Sequence, residues 1–144
     1  MEMYRAEEMS GAKMLVHYLS EYSLAVTRIA VLKEEFDRLV GIVTDTNNAL
    51  GSIGKREESE RLYDAIERVS TTLLAEIDNI TDRCMKIEEM IASLRDSEMR
   101  AVFECRYFNR MTFAAIGKRL FMSSTKAKTL HASGVEILNK RYKV

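Results

Sequence analysis

The chain has no proline and only six glycines in 144 residues, so almost nothing in it forces a helix to stop. No run of 18 apolar residues occurs, and no membrane-spanning segment is expected. Its first residues, Met1 to Glu8, are acidic and lack the apolar core of a secretory signal. Only two cysteines are present, and Cys84 and Cys105 share no metal or redox spacing. A reduced, cytoplasmic setting is therefore expected. Missing too are a phosphate-binding glycine loop, a metal-ligand set and a nucleophile elbow. His17 and His131 each stand without a nucleophile or metal partner. These absences point away from an enzyme, and no cofactor or metal is expected.

What remains favours helix. Apolar residues make up 47% of the sequence, enough for a core, and Leu, Ile, Met, Glu, Lys and Arg are good helix formers. An all-α fold is expected, as one domain or one domain with an appendage.

The first long pattern begins near Gly11. Tyr18, Tyr22, Ala25, Ile29, Leu32, Phe36, Leu39 and Val43 follow alternating four- and three-residue steps, a heptad seam on one helix face. Leu15, Leu19, Val26 and Val40 widen it, which suggests packing against more than one neighbour. Thr44 to Gly54 is rich in turn formers and reads as a loop with room for a short ordered piece. A second pattern runs from about Glu57 to Leu94, through Leu62, Ile66, Val69, Leu73, Ile77, Ile80, Cys84, Ile87, Ile91 and Leu94. Two successive four-residue steps at Leu73 make one stutter. At about 1.5 Å per residue this helix spans roughly 55 Å, and the first helix, returning antiparallel, is its nearest packing partner. Residues 1–94 thus read as a long antiparallel two-helix hairpin. Its seams serve as intramolecular core or, alternatively, for self-association as a homodimer.

Residues 95–144 read differently. Asp96 or Ser97 caps a helix carrying Met99, Val102, Phe103, Arg106 and Tyr107. Asn109-Arg110-Met111 breaks it, and Thr112 caps a helix from Phe113 to Leu120. Phe121-Met122-Ser123 makes a turn, and Ser123 or Ser124 caps a last helix to about Tyr142. Charge is concentrated here. From Arg106 to Val144 there are nine Lys/Arg against the single acid Glu136, net +8, while residues 1–105 carry net −8. A solvated surface is the plain reading of such a segment; a polyanion-binding arm, with DNA as the polyanion, fits its asymmetry better.

A helix-turn-helix needs apolar residues to clamp two helices at a steep angle and a small residue where their backbones approach. Ile116, Leu120, Met122, Ala127 and Leu130 occupy the clamp positions and Gly117 is the small residue. With Ala127, Leu130 and Gly134 facing inward, Ser124, Thr125, Lys128 and Thr129 lie on the opposite face, flanked by Lys126 and Lys118. Residues near the start of such a second helix are those that reach base edges. Lys118, Lys126, Lys128, Arg110 and Arg119 would neutralise phosphates. His131 serves for packing or for contacting a phosphate, and Arg106 and Tyr107 for bracing this domain. Cys84 belongs to the seam, and a partly buried thiol is the expectation for Cys105.

The stretch Met111 to Leu138 resembles the last conserved region of bacterial sigma-70 family factors, with Thr112, Ile116-Gly117-Lys118-Arg119-Leu120, Ser123 and Leu138 in register. The wider arrangement, with Ile91-Ala92-Ser93-Leu94-Arg95-Asp96 and then Arg106-Tyr107, is similar to phage-encoded, sigma-like late-gene regulators of the RinA and ArpU kind. The sigma-like resemblance covers about a third of the chain, and the front half matches only in length, helicity and loop placement. It implies a C-terminal three-helix helix-turn-helix domain in which Ser124, Thr125, Lys128 and Thr129 read bases and Lys126 touches the backbone. Phe121 stands where that family usually has Gly. It further implies a sequence-specific transcriptional regulator that binds double-stranded DNA and works in the cytoplasm of a bacterial host; the helical front half would set the spacing between two DNA-reading ends or offer a surface to RNA polymerase. The rival readings are a DNA-packaging adaptor akin to a small terminase subunit, and a protein–protein interaction module that does not bind DNA.

Overall fold

A computed structural model of the chain describes residues 2–50 and 56–142, with side-chain positions over 11–45, 48 and 60–142. Among the described residues all regular structure is helical. The elements are α1 (Glu2–Leu50), α2 (Arg56–Ala92), α3 (Ser97–Phe103), a π-helical turn over Glu104–Phe108 that prolongs α3, α4 (Phe113–Leu120) and α5 (Ser124–Arg141). No described helix is long and apolar enough to cross a membrane.

The loop expected from Thr44 is corrected over its first half, because α1 continues to Leu50. No Gly or Pro interrupts residues 44–50, and the Thr44 hydroxyl donates to the Val40 carbonyl at 2.9 Å instead of capping a turn. The remainder of that expected loop, 51–55, lies outside the described residues. α1 also begins earlier than Gly11, at Glu2.

Two compact units emerge: Met1–Ala25 with Arg83–Val144, and Val26–Asp82. The 94/95 division read from the sequence falls inside the first unit. Its physical reason is one shared core, in which Leu15, Leu19, Ile87, Met90, Ile91 and Leu94 pack with Met99, Phe103, Tyr107, Val135 and Leu138. Fully burying such a side chain stabilises by about 1.5–3 kcal/mol, so the ends of the long helices and the short helices stabilise one another. Gly134 of α5 permits the closest approach, since a Cβ there would overlap the Phe103 ring. Polar ties reinforce this unit: Arg83 pairs with Glu21 at 3.0 Å, and Arg141 donates to the Ser93 carbonyl at 2.8 Å. Tyr22 donates to Glu88 at 2.5 Å. Burial and that carboxylate push the Tyr22 phenol up to about 12, so it remains a donor.

The second unit holds less. Leu32 and Leu73 are buried, while Ile29, Phe36, Leu39, Val43, Leu62, Ile66, Ile77 and Ile80 are half-buried. Arg28 meets Glu76 at 3.3 Å, and Val40, Val43, Thr44 and Asn48 line a cavity with Tyr63 and Ile66. Val26, Val40 and Val69 are exposed. The widened stripe is thus buried at Leu15 and Leu19 but not at Val26 and Val40. In the first unit, α3 and α5 contribute to the core that covers it; two helices alone cover a narrow seam.

Candidate nucleic-acid interface

Local chemistry sets the two short helices of the basic segment. Thr112 has extended backbone and its hydroxyl accepts from the Ala115 N–H at 3.2 Å, which starts α4. Ser123 does the same for α5, accepting from Lys126 N–H at 3.0 Å. Asp96 caps α3, accepting from Met99 N–H at 3.0 Å. Between α4 and α5 the chain turns in three residues. Phe121 takes the left-handed conformation, φ 57° and ψ 45°, and the Met122 N–H returns to the Gly117 carbonyl at 2.9 Å. That fold-back brings the backbone of Met122 and Ser124 against Gly117, where an added Cβ would lie 2.6 Å from the Met122 carbonyl oxygen. Only glycine fits there.

A small core locks the pair. Val102, Cys105, Ile116 and Ala127 are buried together, with Met111, Phe113, Leu120, Met122 and Leu130 packed around them. The thiol of Cys105 is therefore buried, as is that of Cys84. Burial also raises the Cys84 thiol above its ordinary value, which leaves it unreactive.

The outer faces carry the residues singled out from the sequence. On α5, Thr125, Lys126, Lys128 and Thr129 are exposed and Ser124 is half-buried; on α4, Lys118 and Arg119 are exposed. No acidic residue occurs on α4, or on α5 before Glu136. Three details were not legible in the sequence. Lys126 pairs with Glu98 of α3 at 3.0 Å, both side chains being more than half exposed, and such a surface pair contributes little. The Thr129 hydroxyl donates to the Thr125 carbonyl at 2.9 Å, so outward it offers lone pairs. Arg119 points back to the Met111 sulfur at 3.9 Å. Arg110, with φ 54°, is exposed but sits in the loop before α4, lining a different cavity with Ser20 and Leu24.

His131 faces inward. Its ring stacks on Phe103 at 5.1 Å and meets the edge of Phe113 at 5.2 Å, and Nε2 lies 2.6 Å from the Tyr107 hydroxyl. Burial first, then the nearby Arg106 charge, lower its pKa to about 4. A neutral, packed imidazole does not serve a phosphate; of the two roles left open by the sequence, packing is the one realised. Arg106 and Tyr107 brace the same cluster. The Arg106 guanidinium lies 4.4 Å from the Phe113 ring centre and donates to the Met111 carbonyl at 3.0 Å. The π-helical turn that carries them, closed by Asn109 N–H on Glu104 O and Met111 N–H on Cys105 O, had no signal in the sequence.

The described residues contain no group of three or more His, Cys, Asp or Glu side chains able to hold a metal ion. The surface can present cations and short hydroxyls to a polyanion. No family model matches the chain, and neither a curated protein nor a solved structure matches it.

Proposed function

We propose that this chain is a sequence-specific DNA-binding regulator of transcription, without catalytic activity, of the phage or prophage late-gene kind. In this reading α4, the turn at Phe121 and α5 form a helix-turn-helix, with α3 as the third helix of the domain. One observation carries it. The first two turns of α5 keep Thr125, Lys126, Lys128 and Thr129 exposed while Ala127 is buried, and the adjoining end of α4 adds Lys118 and Arg119 with no acid on either helix there. The start of a second helix is where side chains reach base edges in the major groove. Lysines there hold phosphates, and short hydroxyls discriminate among a few bases. Ser124, Thr125, Lys128 and Thr129 touch base edges; Lys118, Lys126, Lys128, Arg110 and Arg119 neutralise backbone phosphates.

The long helices serve this function as an antiparallel hairpin. Arg28 opposite Glu76, and Val40, Val43, Thr44 and Asn48 sharing a cavity with Tyr63 and Ile66, support that pairing. Exposed Val31, Val40, Ile42, Tyr63, Val69 and Leu74 support a partner surface there, for a second copy or for RNA polymerase. The setting is the cytoplasm of a bacterial host.

Selection of bound fragments from a random duplex library tests the reading. It predicts enrichment of one short motif, lost in a Thr125→Ala/Lys128→Ala double variant that keeps the native melting temperature. Recovery of fragments without any enriched motif contradicts sequence-specific reading.

A further inference from the structure

A cavity of about 220 Å³ opens in the first compact unit, lined by Ser20, Ser23 and Leu24 of α1 and by Arg106, Tyr107 and Arg110. Two arginines and no acidic residue are among its lining residues. Among the described residues no ion pair uses Arg106 or Arg110. Arg106 is half-buried, and no opposite charge offsets the water contact it loses. Its recorded partners are the Met111 carbonyl and the face of Phe113. One carbonyl and one ring leave most of its five N–H donors unused. The uncompensated charge is felt locally, since it contributes to the lowered His131 pKa and opposes the rise at Tyr107. Arg110 adds an exposed guanidinium on a residue held at φ 54°, a backbone that costs a non-glycine residue about 1–2 kcal/mol. The α1 residues that line it, Ser20, Ser23 and Leu24, carry no charge.

We propose that this cavity is a phosphate-binding site, in which Arg110 and the free edge of Arg106 grip one phosphate group against α1. Guanidinium forks match phosphate oxygens two at a time, and the volume admits a phosphate with a few waters. The group is either a backbone phosphate of duplex DNA or the phosphate of a small free compound. The site goes beyond the proposed DNA reading and does not require it, because its first test uses no DNA.

The experiment titrates inorganic phosphate into the full chain at constant ionic strength, with potassium chloride as the balancing salt, while following arginine Nε–Hε resonances. Saturable shifts confined to Arg106 and Arg110 are expected. Arg110→Gly relieves the backbone conformation and removes one guanidinium, so it weakens binding about tenfold without lowering the melting temperature. Ser20→Asp places a carboxylate in the cavity and abolishes phosphate binding in a chain that still folds. The absence of saturable shifts, or unchanged phosphate affinity in both variants, overturns the proposal. Adding a short duplex to the phosphate-loaded protein then identifies the source. Displacement of phosphate by duplex assigns the site to the DNA backbone, and simultaneous binding of both assigns it to a free phosphate compound. A chain that binds phosphate here but ignores duplex refutes the DNA reading alone.

Discussion

The Tyr107 hydroxyl and His131 Nε2 lie 2.6 Å apart inside a cluster of aromatic rings. Burial pushes the phenol up to about 12 and the imidazole down to about 4, so at neutral pH a neutral phenol and a neutral ring share this hydrogen bond, its direction set by the imidazole tautomer. This bond joins the π-helical turn to α5, and its chemistry dictates how the fold responds to acid.

In the unfolded chain His131 titrates near 6.5, whereas the folded chain resists that proton until about pH 4. Between those values the unfolded state binds more protons, so the stabilisation present above pH 6.5 is lost as pH falls through the window. The slope from this residue is at most about 1.4 kcal/mol per pH unit, less where solvent screens the ring. Urea midpoints measured from pH 7 to pH 4 should fall more steeply in the native chain than in His131→Gln. Parallel curves would show that the proton goes elsewhere.

Gly134→Ala should destabilise, although alanine is the better helix former by about 1 kcal/mol. The new methyl group would overlap Phe103, which is fully buried and has no room to withdraw. A net loss of about 1–3 kcal/mol is expected, read as a lowered midpoint in chemical denaturation. Unchanged or raised stability would mean that α3 and α5 are not in contact at this point.

Phe121 shows the opposite sign. It is 97% exposed and left-handed, so its ring gains nothing from packing while its backbone is strained. Phe121→Gly should raise stability by about 1 kcal/mol. Calorimetry showing a loss instead would place the ring against the rest of the protein.

Thr129→Val keeps the shape of the side chain and removes its lone pairs. Because the hydroxyl hydrogen is already given to Thr125, the lost contact is one that accepts from an amino group of adenine or cytosine. Preference among duplex sequences should therefore flatten by about 1 kcal/mol at one position, with little change in non-specific affinity. Equal weakening on every duplex would remove Thr129 from the base-reading set.

Legibility in the sequence followed how local each cause is. The starts of α4 and α5 were readable because Thr112 and Ser123 act within three residues of themselves, and Gly117 marked the close approach of the two helices. The all-helical character was readable from the absence of breakers. Thr44 to Leu50 misled because Asn47 and Asn48 suggest a turn while the helix ahead of them simply propagates. The fate of Val26 and Val40 against Leu15 and Leu19 depends on which helices cover α1, a tertiary fact that one-dimensional spacing does not contain. The same holds for Lys126 meeting Glu98, for the left-handed backbone at Phe121, and for Arg106 and Arg110 converging on one cavity with α1.

The central claim is that the exposed cations of α4 and α5 grip duplex DNA, and the salt dependence of duplex affinity tests it most directly. Fluorescence anisotropy with a short labelled duplex should give binding at low salt, with log K falling linearly against log salt concentration. Lys128→Ala should reduce that slope by about one unit. A chain that leaves the duplex unbound even in dilute buffer would contradict the account.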